Sequence, residues 1–314
     1  MKVLITGGAG FIGSHLTDKL LERGDHVLVV DNYQTGRRDN LCPEKNLEIV
    51  EGTVADTALM EGLFHRFQPA VVVHAAAAYK DPDNWLEDLY TNGVGTVNVV
   101  KGCQKHGVKR LVYFQTALCY GIKPTQQPVQ LDHPHWPDSS YAISKTTGEN
   151  YLVISGLSWV SFRLANVYGP RNISGPLPTF YSRLTTGKPC FVMDTRRDFV
   201  YIDDLIAVVM KAVDGMGQGV YHVSSGSDVA IKDLFDATIK ALGIHLDDPV
   251  EVRPRGEDDA PTILLDPART NQDFGWKAVA GLEDGVRQAI EYYKAHGVTE
   301  TYTHLKQPEP VSTK

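Results

Sequence analysis

The sequence predicts an α/β fold, a doubly wound parallel sheet with a smaller second α/β lobe. Short apolar runs typical of buried strands alternate with helical stretches over the first half of the chain. A glycine-rich turn joins the first of these runs to the first helix. The chain has 314 residues, which is enough for two lobes that share a cleft.

Composition narrows the class of protein. The formal net charge of -7 and the lack of a basic run argue against a nucleic-acid partner. No apolar stretch reaches membrane-spanning length and no apolar targeting segment precedes the first predicted strand, so we expect a cytoplasmic protein without a membrane partner. The cysteines lie far apart without metal-ligand or disulfide spacing, and we predict no metal site; they are Cys42, Cys103, Cys119 and Cys190.

The glycine turn predicts a dinucleotide site. A short apolar strand at 3–5 precedes a G-x-x-G-x-x-G pattern between Gly7 and Gly13, and a helix follows. Glycine permits the tight turn and lets a pyrophosphate approach the backbone, while the helix N-terminus attracts its charge. A glycine motif alone is a weak signal. The acidic Asp31, beyond Gly13 at the end of the next strand, makes this one specific for a Rossmann-type site.

Asp31 also indicates the type of dinucleotide. Its carboxylate would accept hydrogen bonds from both hydroxyls of the adenosine ribose and would repel a 2'-phosphate, which favours NAD over NADP. Arg37 and Arg38 favour the opposite choice, because arginines after this strand can hold that phosphate. They lie several residues further on, so we predict NAD.

Further strands are predicted at 47–50, 70–74, 110–114 and 159–164. Asp56 and Thr57 follow the third strand, where the adenine would lie. A run of small residues follows the fourth strand, where a dinucleotide would pass close by, with tight packing as the alternative; the run includes Ala75, Ala76 and Ala77. Asn92 begins a helical stretch with two glycines, each costing about 1 kcal/mol relative to alanine, which predicts close packing against a neighbour or the cofactor.

A tyrosine and a lysine four positions apart form the candidate catalytic pair. On a helix, Tyr141 and Lys145 share one face, so the ammonium would stabilise a phenolate and lower the pKa of the tyrosine. A positively charged nicotinamide would lower it further, and Tyr141 would then take a proton from a sugar hydroxyl. The alternative is a surface helix that carries the two residues by accident.

The alternation of predicted strands and helices becomes less regular after about Gly169, where glycines and prolines interrupt it. We therefore predict an NAD-binding Rossmann domain at 1–168, to which 197–225 returns. A substrate-binding lobe is predicted at 169–196 and 226–298, and a loose tail at 299–314.

Separated motifs together resemble the extended short-chain dehydrogenase/reductase family of sugar-nucleotide epimerases and dehydratases, from Lys2 to about Tyr293. The motifs are Thr6-Gly7 to Gly13, Asn92-x-x-Gly95-Thr96, Thr116, Tyr141-x-x-x-Lys145, Arg163-x-x-Asn166-Val167-Tyr168-Gly169-Pro170, Arg197-Asp198-Phe199-Val200, Leu265-Asp266 and Phe274-Gly275-Trp276.

The resemblance implies a tightly bound NAD that is regenerated in each turnover, with hydride leaving C4 of the sugar and later returning. Its implied cofactor contacts are Gly7, Gly10, Phe11, Ile12, Gly13, Asp31, Asn32, Thr35, Gly36, Asp56, Thr57, Ala75, Ala76, Ala77, Asn92, Tyr141 and Lys145.

The resemblance also implies catalytic and substrate contacts. Tyr141 would accept the proton with Lys145 as its electrostatic partner, and Thr116 would hydrogen-bond the reacting sugar oxygen. The phosphates of a UDP-sugar would be held by Asn166, Arg197 and an arginine of a late loop. That arginine is Arg253 or Arg255, and we select Arg255 as the candidate. Many relatives dimerise through two helices each, which implies a homodimer formed by the helices at 84–106 and 139–155.

One departure from the family bears on the reaction. Family 4,6-dehydratases continue from the catalytic threonine into Asp and Glu, whereas here Ala117 and Leu118 follow Thr116, which argues against that reaction. A 4-epimerase needs no such carboxylates. An elimination would need other groups: the thiol of Cys119 as acid or base, and Lys80 to polarise a leaving hydroxyl. The alternatives are a buried inert cysteine and a solvated loop lysine.

The stretches 78–83 and 114–121 resemble a subgroup from bacterial O-antigen and nucleoside-antibiotic gene clusters. That resemblance implies 5,6-dehydration of UDP-N-acetylglucosamine, with hydride returned to C4 and an exocyclic enol ether as product. We predict this reaction ahead of a UDP-hexose or UDP-hexosamine 4-epimerase. A net oxidoreductase and a non-catalytic NAD sensor rank lower, the sensor because it needs no Tyr141, Lys145 and Thr116 set.

Overall fold

The computed structural model describes residues 1–256, 259–298 and 300–302. Its strands are β1 Lys2–Thr6, β2 His26–Asp31, β3 Leu47–Glu51, β4 Val71–His74, β5 Arg110–Thr116, β6 Trp159–Leu164, β7 Asn166–Tyr168, β8 Phe191–Met193, β9 Arg196–Arg197, β10 Phe199–Tyr201, β11 Gly219–Val223, β12 Val229–Ala230 and β13 Glu251–Arg253. Its α-helices are α1 Phe11–Glu22, α2 Thr57–Phe67, α3 Trp85–Asp88, α4 Gly95–His106, α5 Ser140–Val153, α6 Pro176–Thr185, α7 Ile202–Val213, α8 Ile231–Leu242, α9 Ala268–Phe274 and α10 Leu282–His296.

The main sheet confirms the predicted fold class. It is parallel, with the strand order β11-β6-β5-β4-β1-β2-β3. The chain builds outward from β1 to β3 and then crosses to β4 on the other side of β1. This reversal opens a crevice at the carboxyl ends of the strands, where ligands bind in sheets of this kind.

Side chains of the central strand alternate between two cores. Val3 and Ile5 pack in the core that includes Leu205 of α7, whereas Leu4 packs in the core that includes Phe64 of α2 and Val99 of α4. The sheet is therefore covered on both faces, as its nearly continuous apolar strands require.

The helical stretch predicted around Asn92 is divided into three parts. Between α3 and α4, residues Leu89–Val94 form a wider π-helical turn. A side chain at Gly95 would overlap Val54. The close packing expected from the glycines of this stretch is present here, against a neighbouring residue.

Smaller paired strands lie beyond the main sheet, namely β7 with β10, β8 with β13 and β9 with β12. Helices α6, α8 and α10 pack with one another beside them. In this region the Phe180 and Phe235 rings meet edge to face, with centroids 5.1 Å apart. The division into lobes remains a prediction, although β11 extends the main sheet next to β6. Of the predicted tail, 299 and 303–314 lie outside the described residues.

A buried ion pair fixes α5 to the sheet. Arg163 on β6 donates to the carboxylate of Glu149 on α5, with 2.6 Å between Nη2 and Oε1, and both side chains are at most 4% exposed. Ser161 donates to the other carboxylate oxygen at 2.6 Å. Arg163 also donates to the Tyr120 hydroxyl. These bonds satisfy charges that would otherwise be costly to bury.

We predict that Arg163→Met lowers the free energy of unfolding by about 3–5 kcal/mol, because it leaves the Glu149 carboxylate buried without its cation. Urea denaturation monitored by circular dichroism measures the change. The double variant Arg163→Met/Glu149→Gln removes both charges and is expected to recover part of the loss. A single variant as stable as the parent protein would contradict this account.

Candidate active site

A cavity of about 560 Å³ lies at the carboxyl ends of the central strands. Most of the predicted cofactor residues line it: Gly7, Gly10, Phe11, Ile12, Gly13, Asp31, Asn32, Thr35, Ala75, Ala76, Ala77, Tyr141 and Lys145. The fold thus brings together residues that are up to 138 positions apart in the chain, from Gly7 to Lys145.

The glycine turn packs closely against neighbouring backbone, which is possible only because its glycines lack side chains. Gly7 has φ +69°, and a Cβ there would lie 2.6 Å from the backbone nitrogen of Ala76. A Cβ at Gly13 would overlap the Gly7 carbonyl oxygen. Helix α1 has no side-chain cap and no acidic residue in its first turn. The turn and the uncapped helix end therefore fit the pyrophosphate of a dinucleotide.

Asp31 is held in place at the end of β2. Its carboxylate accepts hydrogen bonds from the backbone nitrogens of Ala9 (2.9 Å) and Tyr33 (2.8 Å). Burial raises the pKa of Asp31, and these backbone bonds oppose the rise. Gly36 does not line the cavity but packs on this carboxylate, since a Cβ would lie 2.8 Å from Asp31 Oδ1.

Helix α5 brings Tyr141 and Lys145 to the cavity. Ser139 caps the helix by accepting a hydrogen bond from the Ala142 backbone nitrogen at 3.2 Å. One turn apart, both side chains of the pair line the cavity. The Lys145 ammonium lies 4.0 Å from the centroid of the Tyr113 ring.

Burial dominates the protonation of this pair. It lowers the pKa of Lys145 to about 7, opposed by the Glu149 carboxylate. It raises the pKa of Tyr141, and the neighbouring Tyr79 and Asp88 raise it further. In the chain by itself, burial thus sets the pKa of Tyr141 above its ordinary value, opposite to the direction expected from the neighbouring lysine.

Thr116 ends β5 and lines the cavity, where its Oγ1 accepts a hydrogen bond from the Leu118 backbone nitrogen at 3.2 Å. Ala117 and Leu118 also line the cavity. The wall beside Thr116 is therefore apolar where the family's dehydratases have two carboxylates.

The structure contradicts the predicted role of Cys119. Its thiol is fully buried in a cluster with Val129 and Leu265 and does not line the cavity. Burial raises the pKa of the Cys119 thiol to about 12. The residue thus matches the alternative interpretation, a buried cysteine that packs.

Lys80 also lies away from the cavity lining, contrary to its predicted role. Its ammonium forms an ion pair with Glu300 at 3.1 Å, and both side chains are largely exposed.

Three other predicted cofactor contacts lie outside the lining. Asp56 caps α2 by accepting a hydrogen bond from the Leu59 backbone nitrogen at 2.9 Å, and Thr57 donates to Asn98 at 3.1 Å. Asn92 is fully buried and bonds the backbone of Ala78. Near the end of β3 the cavity is instead lined by Gly52, Thr53 and Val54.

Of the predicted phosphate-binding residues, Asn166 and Arg197 line the cavity and Arg255 does not. Arg197 forms an ion pair with Asp259, whose backbone carbonyl accepts from Arg255 at 3.4 Å. Arg183, on the last turn of α6, is a cavity residue that the sequence reasoning missed. No motif marks α6; only the glycines and prolines before it signal that the chain leaves the sheet.

In the ranges 1–256, 259–298 and 300–302, no three side chains of His, Cys, Asp or Glu gather into a set that could hold a metal ion. Within the same ranges every helix falls short of the length and apolarity that a membrane crossing demands.

The glycine turn, Asp31 and the buried tyrosine–lysine pair open on one cavity, an arrangement that fits a dinucleotide-dependent enzyme. The sequence model of the NAD dependent epimerase/dehydratase family matches residues 3–223. The chain belongs to this family of extended short-chain dehydrogenases/reductases, and its cofactor is NAD.

Individual relatives agree with this assignment. The crystal structure of the Bordetella bronchiseptica enzyme WbmH with NAD+ is 56% identical, with a TM-score of 0.92, and the match covers 95% of this chain and 99% of that one. WbmG from the same organism, with NAD and UDP, is 47% identical with a TM-score of 0.90, over 98% and 99% of the chains. The UDP-glucose 4-epimerase of Mycolicibacterium smegmatis is 32% identical over 94% of this chain and 99% of its own.

The lowered pKa of Lys145 predicts a pH dependence of stability. Between the folded value of about 7 and the ordinary value of 10.5, the unfolded chain binds more protons, so stability rises with pH. In NAD-free protein, we expect the free energy of unfolding to rise relative to that of Lys145→Met by up to about 1.4 kcal/mol per pH unit. Urea titrations at several values across this range measure the difference. A constant difference would contradict the shift.

Proposed function

We propose that the enzyme is a UDP-sugar 4-epimerase that acts through a transient C4 ketone. NAD, held by the lining residues that include the glycine turn and Asp31, would supply a hydride acceptor and donor at C4 when bound. Tyr141 takes the proton of the C4 hydroxyl and gives it back, and Lys145 holds the charge beside it. Thr116 hydrogen-bonds the reacting oxygen. Asn166 and Arg197 bind the phosphates, which leaves the sugar free to turn.

The observation that carries this proposal is that, among the residues that the structure describes, no carboxylate beside Thr116 is placed to act as the base of an elimination. Ala117 and Leu118 move no proton, and Cys119 lies outside the cavity lining. The carboxylates among the described lining residues are Asp31 and Asp259. Backbone nitrogens engage the first and Arg197 engages the second. An epimerase needs no such base, and the relatives named as UDP-glucose 4-epimerase and crystallised with UDP support the substrate class.

A second candidate is 5,6-dehydration of UDP-N-acetylglucosamine, the reaction of the dehydratase of tunicamycin biosynthesis. One observation favours it: the residues from Phe114 to Leu118, part of a stretch that carries the resemblance to that subgroup, all line the cavity. Its difficulty is the position of Cys119 and Lys80, the groups that the elimination would use.

Proton NMR of the purified enzyme with UDP-N-acetylglucosamine, and separately with UDP-glucose, tests the proposal in deuterated water without added NAD. We expect a galacto-configured C4 signal without solvent deuterium at C5. Vinylic signals of an exocyclic methylene would overturn the epimerase in favour of the dehydratase. Accumulation of reduced cofactor would instead indicate a net oxidoreductase.

Two variants accompany this assay. Tyr141→Phe is expected to lower the turnover rate by about 10²–10⁴-fold with the bound NAD retained, because the proton acceptor is lost. Cys119→Ala is the control and should keep the parent rate within about twofold, since the thiol does not reach the cavity. An active Tyr141→Phe enzyme would contradict the mechanism.

We also propose that the enzyme is a homodimer. Large apolar side chains are exposed on the packed helical segments around 85–94 and 140–154, and they include Trp85, Leu86, Leu89, Tyr90, Ile143, Val153 and Ile154. Exposed apolar side chains gathered on packed helices are typical of an interface between subunits, and a second copy of the same apolar face would cover them.

We predict that Leu89→Asp weakens this dimer, because it places a charge at the centre of the apolar face. Light scattering after gel filtration should give the mass of two chains for the parent and one for the variant. The matched control is Val279→Asp, a change at an equally apolar residue that is 83% exposed, which should leave the mass unchanged. A parent that elutes as a monomer would overturn the assignment.

A further inference from the structure

Residues 300–302 lie beside the cavity, between the loop before α6 and the loop after β4. We call this segment the tyrosine strap. The Gly175 backbone nitrogen donates to the Tyr302 carbonyl at 3.1 Å, and the Tyr302 nitrogen donates to the Ile173 carbonyl at 3.4 Å. These bonds form a short parallel bridge between Ser174 and Tyr302. The strap is therefore fixed to the loop that precedes α6.

That loop is itself well anchored. The buried hydroxyl of Tyr293 on α10 donates to the Asn172 carbonyl at 2.6 Å. Asn172 in turn donates from its side-chain amide to the Val167 carbonyl at 3.3 Å. The strap thus joins a part of the chain whose position is determined by buried hydrogen bonds.

The other side of the strap contacts the loops that follow β2 and β4. The Tyr302 and Tyr79 hydroxyls are 3.1 Å apart, and their ring centroids are 5.5 Å apart. Thr35 is a further hydrogen-bonding neighbour of the Tyr302 hydroxyl. The Glu300 carboxylate pairs with Lys80, which explains why this lysine points away from the cavity.

The partners of the strap are residues of the active site. Thr35, Tyr79, Ser174 and Gly175 all line the cavity. The Tyr79 ring lies 6.0 Å, centroid to centroid, from the ring of Tyr141. One tyrosine of the strap therefore links the wall beside the predicted NAD ribose, the wall beside Tyr141 and the loop before α6.

We infer that Tyr302 is a positioning residue, which holds Tyr79 beside Tyr141 and fastens the two walls of the cavity over bound NAD. NAD then leaves only when the bond between Tyr302 and Tyr79 opens. Retention suits a reaction that returns its hydride, because cofactor lost in mid-turnover would strand the ketone. The role of Tyr141 in this inference rests on the proposed function, whereas the retention of NAD does not.

The exchange of bound NAD tests the inference without substrate. Holoenzyme loaded with isotope-labelled NAD is mixed with excess unlabelled NAD, and the label that stays with the protein is followed over time. Tyr302→Phe is expected to speed release by about 2–10-fold, the range for loss of one hydrogen bond. Tyr79→Phe should have the same effect. The double variant should be no faster than Tyr302→Phe alone, because the bond that Tyr79→Phe removes is already lost there.

Matched variants separate this role from a general loss of structure. Thr186→Val, which removes an exposed hydroxyl just after α6 and away from both the strap and the apolar face, should exchange NAD at the parent rate. Glu300→Gln leaves both tyrosines intact and weakens the strap through Lys80, so it should speed release by a smaller factor. Release from Tyr302→Phe and Glu300→Gln at the parent rate overturns the inference.

The outcome is independent of the reaction that the enzyme catalyses. A product analysis that identifies a dehydratase would overturn the epimerase and leave the exchange result unchanged. If the variants exchange NAD at the parent rate and the enzyme is an active 4-epimerase, the inference about Tyr302 is overturned and the proposed function still holds.

Discussion

The burial of α5 against the sheet is the constraint on which the site depends. A catalytic lysine gains its influence on a tyrosine where water is excluded, and the same exclusion disfavours its charge. The carboxylate of Glu149, one turn beyond Lys145, offsets this cost in part, and Arg163 compensates Glu149 in turn. Gly148 lets the helix approach so closely that the Tyr113 hydroxyl reaches the Lys145 carbonyl at 2.9 Å. The pair therefore stands at the end of a buried network rather than on a free helix face.

The cavity combines two surfaces that meet different requirements. On one side, the glycine turn packs closely on the backbone of Ala76, and both line the cavity beside the uncapped end of α1, which suits a ligand that binds main-chain groups. On the other, Asn166 and Arg197 project from short strands outside the main sheet. The position of the first surface follows from the parallel sheet, because the carboxyl ends of parallel strands lie at the same edge. The second depends on loops, whose paths leave weaker patterns in the sequence.

Most of the fold could be predicted because apolar periodicity and glycine placement report directly on backbone geometry. The same is true of the site residues that adjoin the glycine turn and α5. Prediction failed where a shift of a few residues decides whether a side chain faces the cavity. Thr116 lines the cavity, whereas Cys119, three positions later on a 3₁₀ turn, does not. Asp56 caps α2 and lies outside the cavity lining, so its contact with the adenine stays a prediction. The pKa of Tyr141 was missed because spacing gives the charge of a neighbour but not the depth of burial.

The environment of Asp31 has a consequence for cofactor engineering. Removing its carboxylate would abolish the repulsion of a 2'-phosphate, yet it would supply no cation to bind one. The nearby guanidinium groups are already occupied, Arg38 by Glu51 and Arg37 by Asp39. Gly36 packs directly on the carboxylate and leaves space there once the carboxylate is gone. A variant that accepts NADP therefore requires at least two changes, one that removes Asp31 and one that releases an arginine from its present partner.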